Sequence, residues 1–85
     1  MSKIEKLIER FINFPNDFKY SELVKLLDHF GFAENNKGKT SGSRVCFYRA
    51  ADNSKIMGHK PHGSNPVSIA FIKQICNYLK QKGEL

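Results

Sequence analysis

The chain contains the stretch Ser43-Arg44-Val45-Cys46-Phe47-Tyr48-Arg49, in which the apolar residues Val45 and Phe47 alternate with Arg44, Cys46 and Tyr48. Successive side chains of a β-strand point to opposite faces of the sheet, so this alternation predicts a strand over residues 43–49. Val45 and Phe47 share one face, which is suited to packing against helices. Arg44 and Tyr48 then project from the opposite face. The stretch therefore predicts a sheet that is covered on one side and open on the other.

Two further strands are predicted, one before and one after this stretch. Residues 32–35 form a short candidate, followed by the polar, glycine-containing loop 36–42. Lys55–His59 follows a turn at Asp52-Asn53 and again alternates in character. Because short loops join the three strands in order, we expect a three-stranded antiparallel meander.

Apolar residues at spacings of three and four predict two helices before the sheet. The first runs over Lys3–Asn13 and is broken at Phe14-Pro15, because proline disfavours helical backbone in the residue before it. The second is expected to begin with Ser21 as its N-cap and to end at Gly31, which readily adopts a left-handed conformation.

A third helix is predicted after the sheet. Pro66 suits its first turn, Asn65 or Ser64 suits its N-cap, and Gly83 marks its end. The resulting order, α-α-β-β-β-α, predicts an α+β fold in which helices pack on one face of a three-stranded antiparallel sheet. A chain of 85 residues suits a single domain, 1–85, around one core.

The composition excludes several classes of protein. Apolar residues make up 40% of the chain and charged residues 26%, a balance that argues against a disordered protein. No apolar run approaches the ~20 residues of a membrane span, and the amphipathic N-terminus is unlike a signal sequence, so we expect a cytoplasmic protein without membrane contact. Cys46 and Cys76 form no CxxC pair, which favours buried free thiols.

The positive charge of the chain is concentrated in its middle. Residues 35–65 carry six basic side chains against one acidic side chain, Asp52, and so hold +5 of the formal net charge of +6. Lysine and arginine release condensed counterions when they neutralise phosphates, so a local cationic stretch is typical of nucleic-acid recognition. The alternative is a solvated basic surface that serves solubility.

The loop leading into the central strand has the composition of a phosphate-binding segment. The glycines of residues 37–44 let backbone approach a ligand, and the hydroxyls and cations there are phosphate donors, although the P-loop spacing is missing. An ordinary hairpin loop is the alternative. Arg49 shares the inward parity of Val45, but near the strand end we expect it to reach solvent. The candidate RNA contacts are Lys37, Lys39, Ser41, Ser43, Arg44, Tyr48, Arg49, Lys55 and Lys60.

Two histidines lie beside the same region. His59 and His62 flank Lys60-Pro61 at the end of the third strand, next to the strand that bears Arg44, so both could meet a phosphate bound there. A zinc site would need further ligands that the sequence does not place. The pair could also cap the last helix or pack its loop. His29, within the second helix, is interpreted as structural or surface-exposed.

Taken together, these motifs resemble the HicA toxins, the RNA-cleaving partners in HicA–HicB toxin–antitoxin modules. The resemblance spans residues 14–85, and residues 1–13 form an N-terminal helical extension to it. The matching segments are Tyr20-Ser21-Glu22-Leu23-Val24-Lys25-Leu26-Leu27, Gly31-Phe32, Lys39-Thr40-Ser41-Gly42-Ser43-Arg44-Val45 and His59-Lys60-Pro61-His62.

The resemblance implies a fold like that of the double-stranded-RNA-binding domain. It also implies the toxin component of a type II toxin–antitoxin system, an endoribonuclease that acts on mRNA without a metal or other cofactor. The implied partners are RNA and an acidic HicB-like antitoxin, with the chain a monomer when free.

One position departs from the family in a way that affects catalysis. Many members carry the catalytic histidine directly after Gly-Ser, where this chain has Arg44. A guanidinium stays protonated at physiological pH and cannot act as a base, although it can stabilise charge on phosphorus. Histidine is the residue type whose ordinary pKa lies near neutrality, so His59 or His62 must supply acid or base catalysis. The alternative is a non-catalytic RNA-binding module of the same fold.

Overall fold

The structure is a computed structural model that describes residues 3–34, 44–61 and 65–85. It confirms the α+β class and the predicted order of elements. The elements are α1 (Lys3–Ile12), α2 (Tyr20–His29), β1 (Ala33–Glu34), β2 (Arg44–Arg49), β3 (Ser54–His59) and α3 (Ile69–Gln81). Within the described ranges, no helix is both long and apolar enough to cross a membrane.

The three strands form one antiparallel sheet in the order β1-β2-β3, with β2 in the centre. Its register pairs Tyr48 with Ala33 on one side and with Lys55 on the other. Val45 and Phe47 are buried, whereas Arg44 is exposed, so the alternation seen in the sequence sets the two faces of the sheet as predicted.

The helices cover the inward face of the sheet and enclose one core. Its fully or almost fully buried side chains are Phe11, Phe18, Leu23, Leu26, Leu27, Phe32, Val45, Phe47, Ile56, Val67, Phe71, Ile72, Ile75, Cys76 and Leu79. Cys76 is a buried free thiol as expected, whereas the free thiol of Cys46 is only partly buried.

The N-terminal helix belongs to this core. Phe11 is 0% exposed, and its ring lies 5.6 Å from that of Phe18 between centroids. At the surface, Arg10 forms ion pairs with Asp17 at 3.0 Å and with Glu22 at 2.6 Å, which join α1 to the start of α2. Because burial of a large apolar side chain contributes about 1.5–3 kcal/mol, α1 is a structural part of the domain.

The starts of two helices differ from the predicted ones. Ser21 is not the N-cap of α2, since Lys19 holds that position and its backbone N–H donates to Glu22 Oε1 at 2.9 Å. The N-cap of α3 is Ser68, whose Oγ accepts from the backbone N–H of Phe71 at 3.2 Å, so the expectation of a cap at residue 64 or 65 was wrong.

The late start of α3 has a tertiary cause. Val67 is buried, and its backbone N–H donates to the carbonyl oxygen of Phe18 at 2.8 Å. This contact keeps the chain non-helical through residue 67, beyond Pro66. The predicted helix ends were correct, because Gly31 and Gly83 both adopt positive φ, at 89° and 78°.

Candidate functional site

Most of the described candidate residues lie on one surface, the outward face of β2 and β3, which we call the open face. Arg44, Lys55 and His59 are exposed there, and Tyr48 is half-buried. The strand pleat places them together, because residues paired across strands share a face. The remaining side chains of the open face on these two strands are Cys46 and Met57.

Arg44 and His59 are direct cross-strand partners. The neighbouring carbonyl oxygen, that of Met57, accepts a hydrogen bond from Gln74 Nε2 at 3.1 Å, so it points away from β2. Cys46 and Met57 therefore form a non-hydrogen-bonded pair, and by the alternation of antiparallel ladders Arg44 and His59 do too. In such pairs the Cβ atoms lie about 4.5–5.5 Å apart, close enough for both side chains to contact one phosphate group.

We call these two residues the Arg44–His59 corner, because β2 begins at one and β3 ends at the other. A guanidinium provides up to five donors in a planar fork that matches two phosphate oxygens. An imidazole can donate or accept a proton. The corner thus combines a fixed cation with a proton-transfer group on an exposed surface.

Lys60 follows the corner but leans toward the helices. Its Nζ lies 5.0 Å from the ring centroid of Tyr20, the first residue of α2, and the Tyr20 ring packs against Phe47 at 6.3 Å. Burial, and secondly the nearby negative charge of Glu34, raises the pKa of the Tyr20 hydroxyl, so that it stays neutral. Lys60 thus places its charge at the rim of the sheet while the ring below it is fixed by packing.

A cleft of about 190 Å³ borders the corner on the side of α3. It is lined by Gly58, His59, Ser68, Ala70, Phe71 and Gln74. Gly58 allows the cleft to be this narrow, because a Cβ atom there would lie 2.5 Å from Cζ of the Phe71 ring. The first turn of α3 therefore packs directly against the end of β3, next to His59.

Arg49 is not part of the open face, and the expectation that its side chain reaches solvent was wrong. Its side chain is 11% exposed and lies 3.2 Å from Glu84 in an ion pair. The guanidinium also donates to Asp52 at 2.8 and 3.0 Å and to the carbonyl oxygen of Phe30 at 3.0 Å. It stacks over the ring of Phe32 at 4.7 Å. Arg49 joins β2, the β2–β3 turn and the C-terminal segment.

Electrostatics at this structural cluster follow from those contacts. The hydrogen bond from Arg49 is the main reason that the pKa of Asp52 lies far below its ordinary value, and bonding to Ser54 adds to it. The same bond with Asp52 raises the pKa of Arg49. Both groups therefore stay charged at neutral pH and compensate each other.

Tyr48 lies on the open face with its hydroxyl already engaged. The phenolic O–H donates to Asn53 Oδ1 at 2.7 Å across the β2–β3 turn. Asn53 has φ of 58°, a left-handed conformation that asparagine tolerates. Tyr48 thus offers its ring, rather than its hydroxyl, to a ligand on the open face.

Five candidate residues lie outside the described ranges: Lys37, Lys39, Ser41, Ser43 and His62. Within residues 3–34, 44–61 and 65–85, no group of three or more His, Cys, Asp or Glu side chains is placed to hold a metal ion. No family model, curated protein or solved structure matches the chain.

Sequence reasoning missed two residues that shape the site, Gly58 and Gln74. Gly58 has the inward parity of Ile56, and a glycine at an inward strand position is a signal of close backbone approach that could have been used. Gln74 carries no such signal, because its bond to β3 depends on how α3 packs against the sheet.

Proposed function

We propose that this chain binds RNA through the Arg44–His59 corner and cleaves it, as the toxin of a cytoplasmic HicA–HicB-type module. The observation that carries the proposal is the direct pairing of Arg44 with His59 on the open face. Lys55 and Tyr48, which are paired with each other on the same face, extend the surface along the strands. The double-stranded-RNA-binding-domain-like character of the fold is part of the same proposal.

The chemistry suited to this corner is attack by the ribose 2′-hydroxyl on the adjacent phosphorus. A bond forms between phosphorus and the 2′ oxygen, and the bond to the 5′ oxygen of the next nucleotide breaks. A base must take the 2′ proton, and an acid must protonate the leaving oxygen. His59 takes one of these roles, and Arg44 stabilises the negative charge that develops on the phosphoryl oxygens.

The charge distribution supports an acidic protein partner. Six basic side chains lie between residues 35 and 65, against Asp52 alone. Asp52 is bound to Arg49, so the remaining basic residues of this stretch are not compensated within it. An acidic antitoxin that covers the open face would neutralise this charge and block access of RNA.

A second function, a binding module that does not cleave RNA, is favoured by a specific feature of the corner. Arg44 remains protonated and so cannot replace a catalytic histidine as a base. Among the described residues at the corner, His59 alone is of the residue type that commonly serves as an acid or base in catalysis. Cleavage then requires a second proton-transfer group, for which His62 is the proposed residue.

RNA decay in EDTA distinguishes the two functions. Wild-type protein should cleave RNA under these conditions, and His59→Gln should lower the rate by about 100-fold or more, the usual contribution of acid–base catalysis. His29→Gln is the matched control, because His29 is exposed on α2 and is not part of the open face, so this variant should cleave like wild type. Intact RNA together with tight, salt-sensitive binding by wild type would support the binding module instead.

A further inference from the structure

A second surface, distinct from the corner, runs along the outer edge of β3. A groove of about 310 Å³ lies between this edge and α3. We call it the β3 groove, and it is lined by Lys55, Ile56, Met57, Gln74, Asn77, Tyr78 and Gln81. The edge of β3 forms one side of the groove, and one face of α3 forms the other side.

The edge of β3 presents backbone hydrogen-bonding groups to this groove. β3 pairs with β2 on one side, and no strand of the described residues lies on its other side, since the sheet order is β1-β2-β3. The bond from Gln74 shows that the Met57 carbonyl points into the groove, so the N–H and C=O groups of Lys55 and His59 point the same way. Within the described part of the chain, Gln74 is the side chain that meets this row of groups.

Gln74 occupies the position that a neighbouring strand would take. Its amide N–H donates to the Met57 carbonyl as the backbone N–H of an added strand would. The side chain is exposed, so a competing donor can replace it at little cost. Addition of an extended peptide to a free strand edge is a known mode of recognition, in which backbone bonds supply affinity.

The charges around the groove favour an acidic occupant. Neither β3 nor α3 contains an acidic residue. Lys55 lines the groove, and Lys82 Nζ, which also pairs with Asp52 at 3.4 Å, lies 5.5 Å from the ring centroid of Tyr78 in the groove lining. A carboxylate on an extended peptide in the groove would meet Lys55 and Lys82.

We propose that the β3 groove binds an extended, acidic segment of a partner protein, which adds to the sheet as a fourth strand beside β3. RNA fits less well, because its phosphates would face the outward carbonyl oxygens of β3. A second copy of the chain fits less well too, because two β3 edges would bring lysines together without any carboxylate.

The added strand would end beside His59, the last residue of β3. A carboxylate at that end could contact Arg44, the cross-strand partner of His59, and compete with RNA phosphate for it. Peptide binding itself does not depend on the proposed RNA function. Only the inhibitory effect rests on the proposed RNA function, so peptide binding and inhibition of RNA binding are measured separately.

The test is selection of peptides from a random, displayed dodecapeptide library on the wild-type protein at low salt. We expect the selected peptides to be acidic and rich in strand-forming residues, and to protect the amides of Lys55, Met57 and His59 from hydrogen exchange. Met57→Pro removes one outward N–H without removing a bond to β2 and should weaken binding of these peptides by about tenfold or more. Met57→Ala keeps the N–H and is the matched control.

Gln74→Ala tests peptide binding to the β3 groove without introducing a proline into β3. Loss of the competing Gln74 bond should tighten peptide binding by about twofold to tenfold, whereas a groove that binds peptides through Gln74 predicts weaker binding. Competition with RNA is then measured separately with a selected peptide and a labelled RNA 20-mer. If the peptide binds but does not compete with RNA, the proposal that the β3 groove is a docking site stands and only the proposed inhibition of RNA binding is rejected.

Three results would overturn the docking proposal. The first is selection of peptides without enrichment in Asp and Glu, or of none at all. The second is equal binding of the selected peptides to Met57→Pro and Met57→Ala. The third is protection of the β3 edge by the RNA 20-mer alone, or by self-association of the chain at high concentration, since either would assign the groove to a different occupant.

Discussion

Replacement of Gly58 by alanine tests whether α3 packs closely against β3 next to the Arg44–His59 corner. An added Cβ would lie 2.5 Å from Phe71 Cζ and 3.0 Å from Cδ1, whereas carbon atoms in contact prefer about 3.5–4.0 Å. The Phe71 ring is 6% exposed and is packed in the core. It therefore has to move by about 1 Å, or the strand has to move instead.

The expected cost follows from two opposing effects. Overpacking of a core typically costs about 1–3 kcal/mol, whereas replacement of glycine by alanine lowers the entropy of the unfolded chain and returns about 0.4–1 kcal/mol. We expect Gly58→Ala to lower the free energy of unfolding by about 1–2 kcal/mol, which for a domain of this size lowers the Tm by about 4–8 °C per kcal/mol.

A double-mutant cycle measured by urea denaturation shows whether Phe71 is the cause. Phe71→Leu removes the ring that the new Cβ would contact, so Gly58→Ala should cost less than about 0.5 kcal/mol in that background. A cost below about 0.5 kcal/mol in the wild-type background would refute the close packing of α3 on β3. An undiminished cost in the Phe71→Leu background would show that the strain has another origin than the Phe71 ring.

The remaining predictions concern the β2–β3 turn and the N-terminal helix. Because contact with Arg49 lowers the pKa of Asp52 below its unfolded value, Asp52 stabilises the fold above about pH 4 and loses this contribution as the pH falls below it. Thermal denaturation between pH 6 and pH 2 should therefore show a smaller loss of Tm for Asp52→Asn than for wild type, and equal losses would contradict the coupling. In urea denaturation, Phe11→Ala should lower the free energy of unfolding by about 3–5 kcal/mol, because Phe11 is buried. The control Ile12→Ala should lower it by less than about 0.5 kcal/mol, because Ile12 is exposed. Small losses for both variants would place α1 outside the core.

The faces of the sheet could be predicted from sequence because strand geometry is local. Alternation of Val45 and Phe47 with Arg44 and Tyr48 determines which side chains can reach a core, whatever the rest of the chain does. The same rule placed His59 on the outward face. The pairing of Arg44 with His59 follows once the turn between β2 and β3 sets the register.

The buried position of the Arg49 side chain could not be predicted in this way. Its parity pointed inward, but its partners include the Phe30 carbonyl and Glu84, which are brought together only by the folded chain. An inward arginine is stable there because several acceptors and an aromatic ring surround it. The start of α3 was mispredicted for a related reason, since the bond from Val67 to Phe18 overrides the local preference of Pro66 for a first helical turn.

Salt-dependent RNA binding tests most directly whether the Arg44–His59 corner contacts phosphate. Binding of a labelled RNA 20-mer would be measured by fluorescence anisotropy at several salt concentrations for wild type, Arg44→Ala and Lys6→Ala. Lys6 is the control because it is exposed on α1, which packs on the other helices. Arg44→Ala should weaken binding and reduce the slope of log K against log salt by about 1, with Lys6→Ala like wild type. Affinity and slope that are unchanged in Arg44→Ala would contradict a phosphate contact at the corner.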